Sequence, residues 1–140
     1  MFGGFTTANW NSPSGSAGDL KAFLFSLRRN GTQEARVFKN GGSQDKSSSY
    51  NIITSAINGP SFGYLAYDLN IVSNSDIYTG SSSFLGYTYQ LPAECSYNTD
   101  CAKSFLAGSY TGWLTTEIEV YQMINPITTS VKPGMYFSFY

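Results

Sequence analysis

The sequence predicts a mainly β fold: a two-sheet antiparallel β-sandwich with short helices or turns at its margins. Three observations carry this. No segment sustains a 3.6-residue apolar period, so long helices are not expected. Several short runs alternate apolar and polar residues as half-buried strands do. Clusters of Gly, Pro, Asn and Ser stand between those runs and mark turns, and seven or so strands so punctuated fit a sandwich.

Taken in order, KAFLFSLR (21–28) is short and rich in Phe and Leu, which suits a compact strand. EARVFK (34–39) follows Asn30-Gly31, a strong hairpin signal, so these two runs are expected to pair. GGSQDKSSS (41–49) has no periodicity and reads as a polar loop. YNIITSA (50–56) gives the next strand, with β-branched Ile53 and Thr54. Gly59-Pro60 reads as a turn. After it YDLNIV (67–72) alternates, with Tyr67, Leu69 and Ile71 on one face and Asp68, Asn70 and Val72 on the other. FLGYTYQL (84–91) alternates as well and stops at Pro92, and Phe105–Ala107 is a short apolar run. TTEIEVYQM (115–123) is the clearest strand pattern, with Ile118 and Val120 facing one way and Glu117, Glu119 and Tyr121 the other. The tail INPITTSVKPGMYFSFY carries Pro126 and Pro133 and ends on a sticky run expected to add an edge strand.

Composition narrows the function classes. The 140 residues suffice for one domain with a real core. Only 12% are charged, against about 25% in an average globular protein, so the surface must be polar without much charge. The net charge is −1 and the basic residues are scattered, which argues against nucleic acid and against a polybasic membrane contact. Histidine is absent, so a Ser-His-Asp or Cys-His device cannot be built from this chain alone. Two cysteines without histidine do not make a structural zinc site, and no metal is expected. Neither GxxxxGK[ST] nor GxGxxG occurs, and no cofactor is expected. No apolar run approaches the ~20 residues needed to span a bilayer. MFGGFTTANW has neither a basic n-region nor an apolar h-region, so a cytoplasmic location is expected.

Cys95 and Cys101 lie in CSYNTDC. They close a short loop as a disulfide in an oxidising compartment, or stand as two cytosolic thiols. Without a signal-peptide pattern the thiols are favoured. As a redox pair they would have only Lys103 as a basic neighbour, which does not indicate a strongly lowered thiol pKa. Asn30-Gly31-Thr32 matches the glycosylation acceptor pattern once.

The order of several fragments resembles the TLDc domain family. FGGFTTANWNS (2–12) resembles its opening, and KAFLFSL (21–27) its next strand. GPSFG (59–63) resembles its GPTFG element, and Asp68-Leu69-Asn70-Ile71 the strand that follows. LGYTYQLP (85–92) matches a small-Tyr-x-Tyr-x-x-Pro step. FLAGS (105–109) followed by EIEVYQM (117–123) looks like its closing signature. Each fragment is weak alone, and together they are specific, closest to the compact kind found in many protist and invertebrate proteins. The resemblance implies a β-sandwich flanked by short helices, a role in resistance to oxidative damage, and binding to the vacuolar-type proton ATPase. It implies a domain over 1–123, N-terminally truncated relative to the family, with 124–140 as an extension. Two departures stand out. The family begins earlier, with a helix and a strand before FGG. It also often carries Gly-Gly-His-Asp after GPTFG, where this chain has the longer Gly63-Tyr64-Leu65-Ala66-Tyr67-Asp68. A role that needs that histidine cannot operate here.

The candidate sites follow. Glu117 and Glu119 share a strand face about 7 Å apart. They are solvated acids, a carboxylate pair for a hydrolase, or contacts for a basic partner. The resemblance favours the last, so Glu117, Glu119 and Asp68 are the partner-binding candidates, with no catalytic residue assigned. Asp68 points away from the apolar face of its strand. If it is buried it needs hydrogen bonds, most simply from the amides of the turn at 59–63, and it then braces that turn. The many aromatics are expected in the core and in cross-strand pairs rather than in a sugar-stacking face. The alternatives are a hydrolase or redox enzyme using Glu117 and Glu119 or Cys95 and Cys101, and a secreted lectin-like sandwich. A concave polar pocket joining those residues would mark the enzyme.

Overall fold

The computed structural model describes residues 1–9, 15–29, 32–44, 50–55, 58–122 and 135–139. The Asn30-Gly31 turn, the run 45–49, Pro126 and Pro133 lie outside the described residues. The architecture is mainly β, in two antiparallel sheets. The first runs β10 (Ile118–Gln122), β11 (Met135–Phe139), β1 (Phe2–Thr6), β3 (Phe23–Arg29), β4 (Thr32–Lys39). The second runs β2 (Gly15–Ala17), β5 (Ile52–Thr54), β6 (Asn58–Phe62), β7 (Leu69–Val72), β8 (Ser81–Ser83), β9 (Thr111–Trp113). A five-residue helix, α1 (Asp100–Ser104), is capped by Thr99, whose hydroxyl accepts from the Ala102 amide. The two-sheet sandwich read from the sequence is therefore present.

The expected hairpin forms: β3 and β4 pair with Leu24 opposite Phe38 and Phe25 opposite Val37. Leu24 and Phe38 turn inward and are buried, while Val37 is exposed on the outer face. The core between the sheets gathers Phe2, Leu24, Phe38, Ile52, Phe62, Leu69, Ile71, Leu85, Tyr89 and Phe105. Each such side chain, once buried, contributes about 1.5–3 kcal/mol. β1 and β6 face one another at Gly4 and Phe62. A Cβ on Gly4 would sit 2.4 Å from the Phe62 ring, so the second glycine of FGG makes room for that ring.

Four expectations change. Gly59-Pro60 is not a turn but part of β6, an interior strand. The ladder to β7 shifts register between Asn58 and Ser61, and this irregularity is where a proline without an N–H fits. Residues 84–91 form no strand among the described residues beyond one isolated bridge between Asn40 and Tyr89. Leu85 and Tyr89 are buried, but so are Gly86 and Thr88 while Tyr87 is half-buried, so burial does not alternate here and the backbone bonds go elsewhere. The segment 124–140 is not an appended edge: β11 lies between β10 and β1, paired on both sides, so the boundary at 123 falls inside a sheet. Lastly, Ile118 and Val120 share the inner face with Phe2 and Gly4 through the register of β11, yet are 43% and 56% exposed. β10 stands at the end of its sheet, where the opposite sheet does not cover it.

Candidate functional site

Asp68 immediately precedes β7, so the strand alternation does not extend to it, and it is fully buried rather than turned outward. Its Oδ1 accepts the amides of Gly86 (2.7 Å), Tyr87 (3.0 Å) and Tyr89 (3.2 Å), and its Oδ2 accepts that of Thr88 (2.9 Å). The carbonyl side of this segment is taken by a second loop. The amides of Gly41 and Gly42 donate to Thr88 O, that of Ser43 to Gly86 O, and that of Gln44 to Tyr87 O. The chain at 86–89 thus satisfies its buried backbone without joining a sheet ladder, as a buried loop must. The acid braces a turn as expected, but the turn is 86–89, not 59–63. The 59–63 element supplies space instead. Gly63 has φ +95°, and a Cβ there would lie 2.4 Å from Asp68 Oδ2. Burial pushes the Asp68 carboxyl up to about 7, against the pull of the Thr88, Gly86, Tyr89 and Tyr87 amides. With every oxygen engaged and none exposed, Asp68 is withdrawn as a partner contact.

A second buried acid was not singled out from the sequence. Asp19 accepts the hydroxyls of Thr6 (2.7 Å) and Thr7 (3.0 Å) and the amides of Thr7 and Lys21. Its own amide donates to Asn51 Oδ1, and Asn51 Nδ2 donates back to the Asp19 carbonyl. Burial raises its pKa, but the bonds from Thr6, Thr7 and Lys21 outweigh that and hold the carboxyl below its ordinary value. Tyr89 links the two centres: its amide is on Asp68 and its hydroxyl donates to Asn51 O at 2.9 Å. An Asp inside a Ser-Ala-Gly-Asp-Leu turn just before a strand was the available signal.

Cys95 and Cys101 form a disulfide, which overturns the expectation of free thiols. Two turn bonds, Cys95 N to Pro92 O and Thr99 N to Ser96 O, fold the loop back and bring the Cα atoms to 5.5 Å, within bridging range. Cys101 sits in α1, and the helix reaches the Asp68 loop through the Leu85 amide, which donates to Ala102 O. Tyr97, inside the bridged loop, stacks on Phe84 at 5.2 Å. Lys103 lies 5.6 Å from the Phe84 ring centre and 5.9 Å from that of Tyr110.

Among the described residues, one cleft takes in Glu117 and leaves out Glu119. Glu117 is exposed and just precedes β10. It lines an open cleft of about 330 Å³, walled by Gly59, the end of β7 with the turn after it (71–76), and residues 115–118. Ser75 and Thr115 hold the two walls together through their hydroxyls and through the Thr115 amide, which donates to Ser75 O. Glu119 is half-buried on β10, accepts the Tyr121 hydroxyl at 2.6 Å, and is not among the cleft residues. Neither cysteine lines the cleft. Among the described residues no cluster of three His, Cys, Asp or Glu has metal-binding spacing. No described helix is long and apolar enough to cross a membrane.

The chain matches no family model, no curated protein and no solved structure.

Proposed function

We propose that the chain is a non-catalytic protein-interaction module of TLDc type, which by that resemblance serves oxidative-stress resistance and engages the vacuolar-type proton ATPase. One observation carries the reading. Three of the fragments behind the resemblance, the neighbouring 59–63 and 68–71 and the more distant 85–92, meet at Asp68. Fragments that jointly encode one scaffold are expected to converge this way. Their shared acid is held by four backbone amides and fully buried, out of reach of a partner. The contact surface therefore lies away from Asp68, and Glu117 and Glu119, in the closing fragment at the end of the five-stranded sheet, supply it.

A pull-down with the folded protein as bait, read by mass spectrometry, tests this. Recovery of proton-pump subunits, lost with the double variant Glu117→Lys/Glu119→Lys at an unchanged melting temperature, is expected. A folded bait that retains no pump subunit refutes the pump assignment, and unaltered capture by the double variant refutes the glutamates. Cytoplasmic residence belongs to the same reading, and there the Cys95–Cys101 bond meets a reducing thiol pool. The disulfide favours a second reading, a secreted lectin-like sandwich. The mass of the native protein after thiol alkylation separates the two: two added alkyl groups support the cytosolic module, none the secreted one.

A further inference from the structure

We infer that β10 is a docking edge for a basic, extended polypeptide segment, which adds to the five-stranded sheet as a further antiparallel strand and seats one Lys or Arg in the adjoining cleft. This rests on the reading above and names the partner's chemistry. Among the described residues β10 is the last strand of its sheet and is registered with β11 along its whole length from Ile118 to Gln122. In an antiparallel ladder alternate residues point their N–H and C=O groups away from the paired neighbour, so the outer side of β10 offers a template for another strand. Ile118 and Val120 leave apolar surface on the inner face beside that edge, which a new strand's alternate side chains would cover.

Charge selects the occupant. Glu117 and Glu119 flank Ile118 along the edge, and Asp76 and Glu117 both line the cleft that opens at its N-terminal end. A second copy pairing β10 to β10 antiparallel about Glu119 would set like charges opposite one another, which is destabilising. The same acids favour a strand with alternating basic residues. The cleft, of about 330 Å³, has room for a Lys or Arg stem to lie against Ile118 with its charge toward Asp76 and Glu117.

The probe is the peptide acetyl-KVKVKVK-amide. Its controls are the acidic EVEVEVE form and a KPKPKPK form of equal charge, whose prolines remove every other N–H and disfavour a paired strand. Binding is followed by fluorescence anisotropy and by amide hydrogen exchange of the intact protein. The expected result is binding of KVKVKVK alone, slowed exchange at 118–122, and roughly ten-fold or greater weakening in Glu117→Lys/Glu119→Lys. Equal binding of KVKVKVK and KPKPKPK overturns strand addition while leaving the acidic contact of the preceding section intact. No binding by any peptide overturns the docking edge, and the pull-down then judges the interaction module separately. A peptide-free dimer with the same amides protected overturns it in favour of a second copy.

Discussion

Asp68 and Asp19 are built alike and behave oppositely. Each accepts four hydrogen bonds from the protein. Yet burial drives the Asp68 carboxyl up to about 7, while the bonds at Asp19 prevail over burial and hold its carboxyl low. The difference is access to water and the kind of donor. Asp68 is sealed and bound only by the amides of one continuous segment, 86–89. Asp19 lies near the margin and is bound by two hydroxyls and two amides from separate stretches. Counting hydrogen bonds does not decide a carboxylate's state; what the bonds replace does.

The largest expected effect is Asp68→Ala. It strands four buried amides, and each unmet donor costs about 1–3 kcal/mol. The sum rivals the ~5–15 kcal/mol by which a domain is stable, so the variant is expected not to fold. Asp19→Ala is expected to fold and to lose about 2–4 kcal/mol in urea titration, because water reaches part of that site. A folded Asp68→Ala beside an unfolded Asp19→Ala would break the comparison.

Next is pH. A carboxyl raised in the folded state takes up a proton on folding. The stability it brings is full below the unfolded value near 4 and is lost as pH rises toward about 7. For Asp19, lowered in the fold, the contribution is present above about 4 and is lost as pH falls through its folded value. Thermal melts across pH 3 to 8 (about five units) are therefore expected to show opposing slopes on the two sides of pH 4. Asp68→Asn should flatten only the upper one. It also lowers stability throughout by about 1–3 kcal/mol, since its amide nitrogen meets the Thr88 N–H donor to donor. An upper slope that survives in Asp68→Asn would assign the titration to another group.

A smaller effect comes from the disulfide. Cys95→Ala/Cys101→Ala frees a short loop and is expected to cost about 2 kcal/mol. Because α1 holds Leu85 and lies beside the Asp68 loop, amide exchange should quicken at 86–89 and not around Asp19. Equal quickening at both acids would show that the centres melt as one unit through Tyr89.

Much of this was legible in the sequence, though unevenly. The Phe- and Leu-rich run 21–28 followed by Asn-Gly located the β3–β4 hairpin, and Leu69 and Ile71 are core residues, as YDLNIV suggested. The same logic misread 84–91. Apolar alternation suggests a strand, but a loop wrapped around a carboxylate buries Leu85 and Tyr89 without a strand's period, since Gly86 and Thr88 are buried as well. What it cannot report is where the amides point, and here they point at a residue some twenty positions back. Pro60 misled because a register shift, invisible locally, admits proline to an interior strand. Ile118 and Val120 face inward as their alternation required. Their exposure follows from strand order, which depends on β11 inserting next to β1 and leaving β10 outermost. Asp19 escaped notice because a lone acid in a turn looks solvated until Asn51, thirty-two residues on, is folded against it.

The smallest effect is also the most pointed. Between Gly63 and Asp68 the chain carries Tyr64-Leu65-Ala66-Tyr67 where the resembled family is glycine-rich, and Leu65 and Tyr67 take φ of 60° and 49°. A left-handed non-glycine residue costs about 1–2 kcal/mol, and Leu65, at 65% exposed, recovers little by packing. Leu65→Gly is therefore expected to stabilise, by less than about 1 kcal/mol once the added freedom of the unfolded chain is counted. Leu65→Ala, which keeps the strain, should bring no gain. If the closure of 86–89 onto Asp68 imposes that strain, the benefit of Leu65→Gly should shrink in an Asp68→Asn background, giving a coupling above about 0.5 kcal/mol in the double-mutant cycle. Strict additivity would mean that the 64–67 turn is strained on its own account, and that the sealed acid governs only the loop it binds.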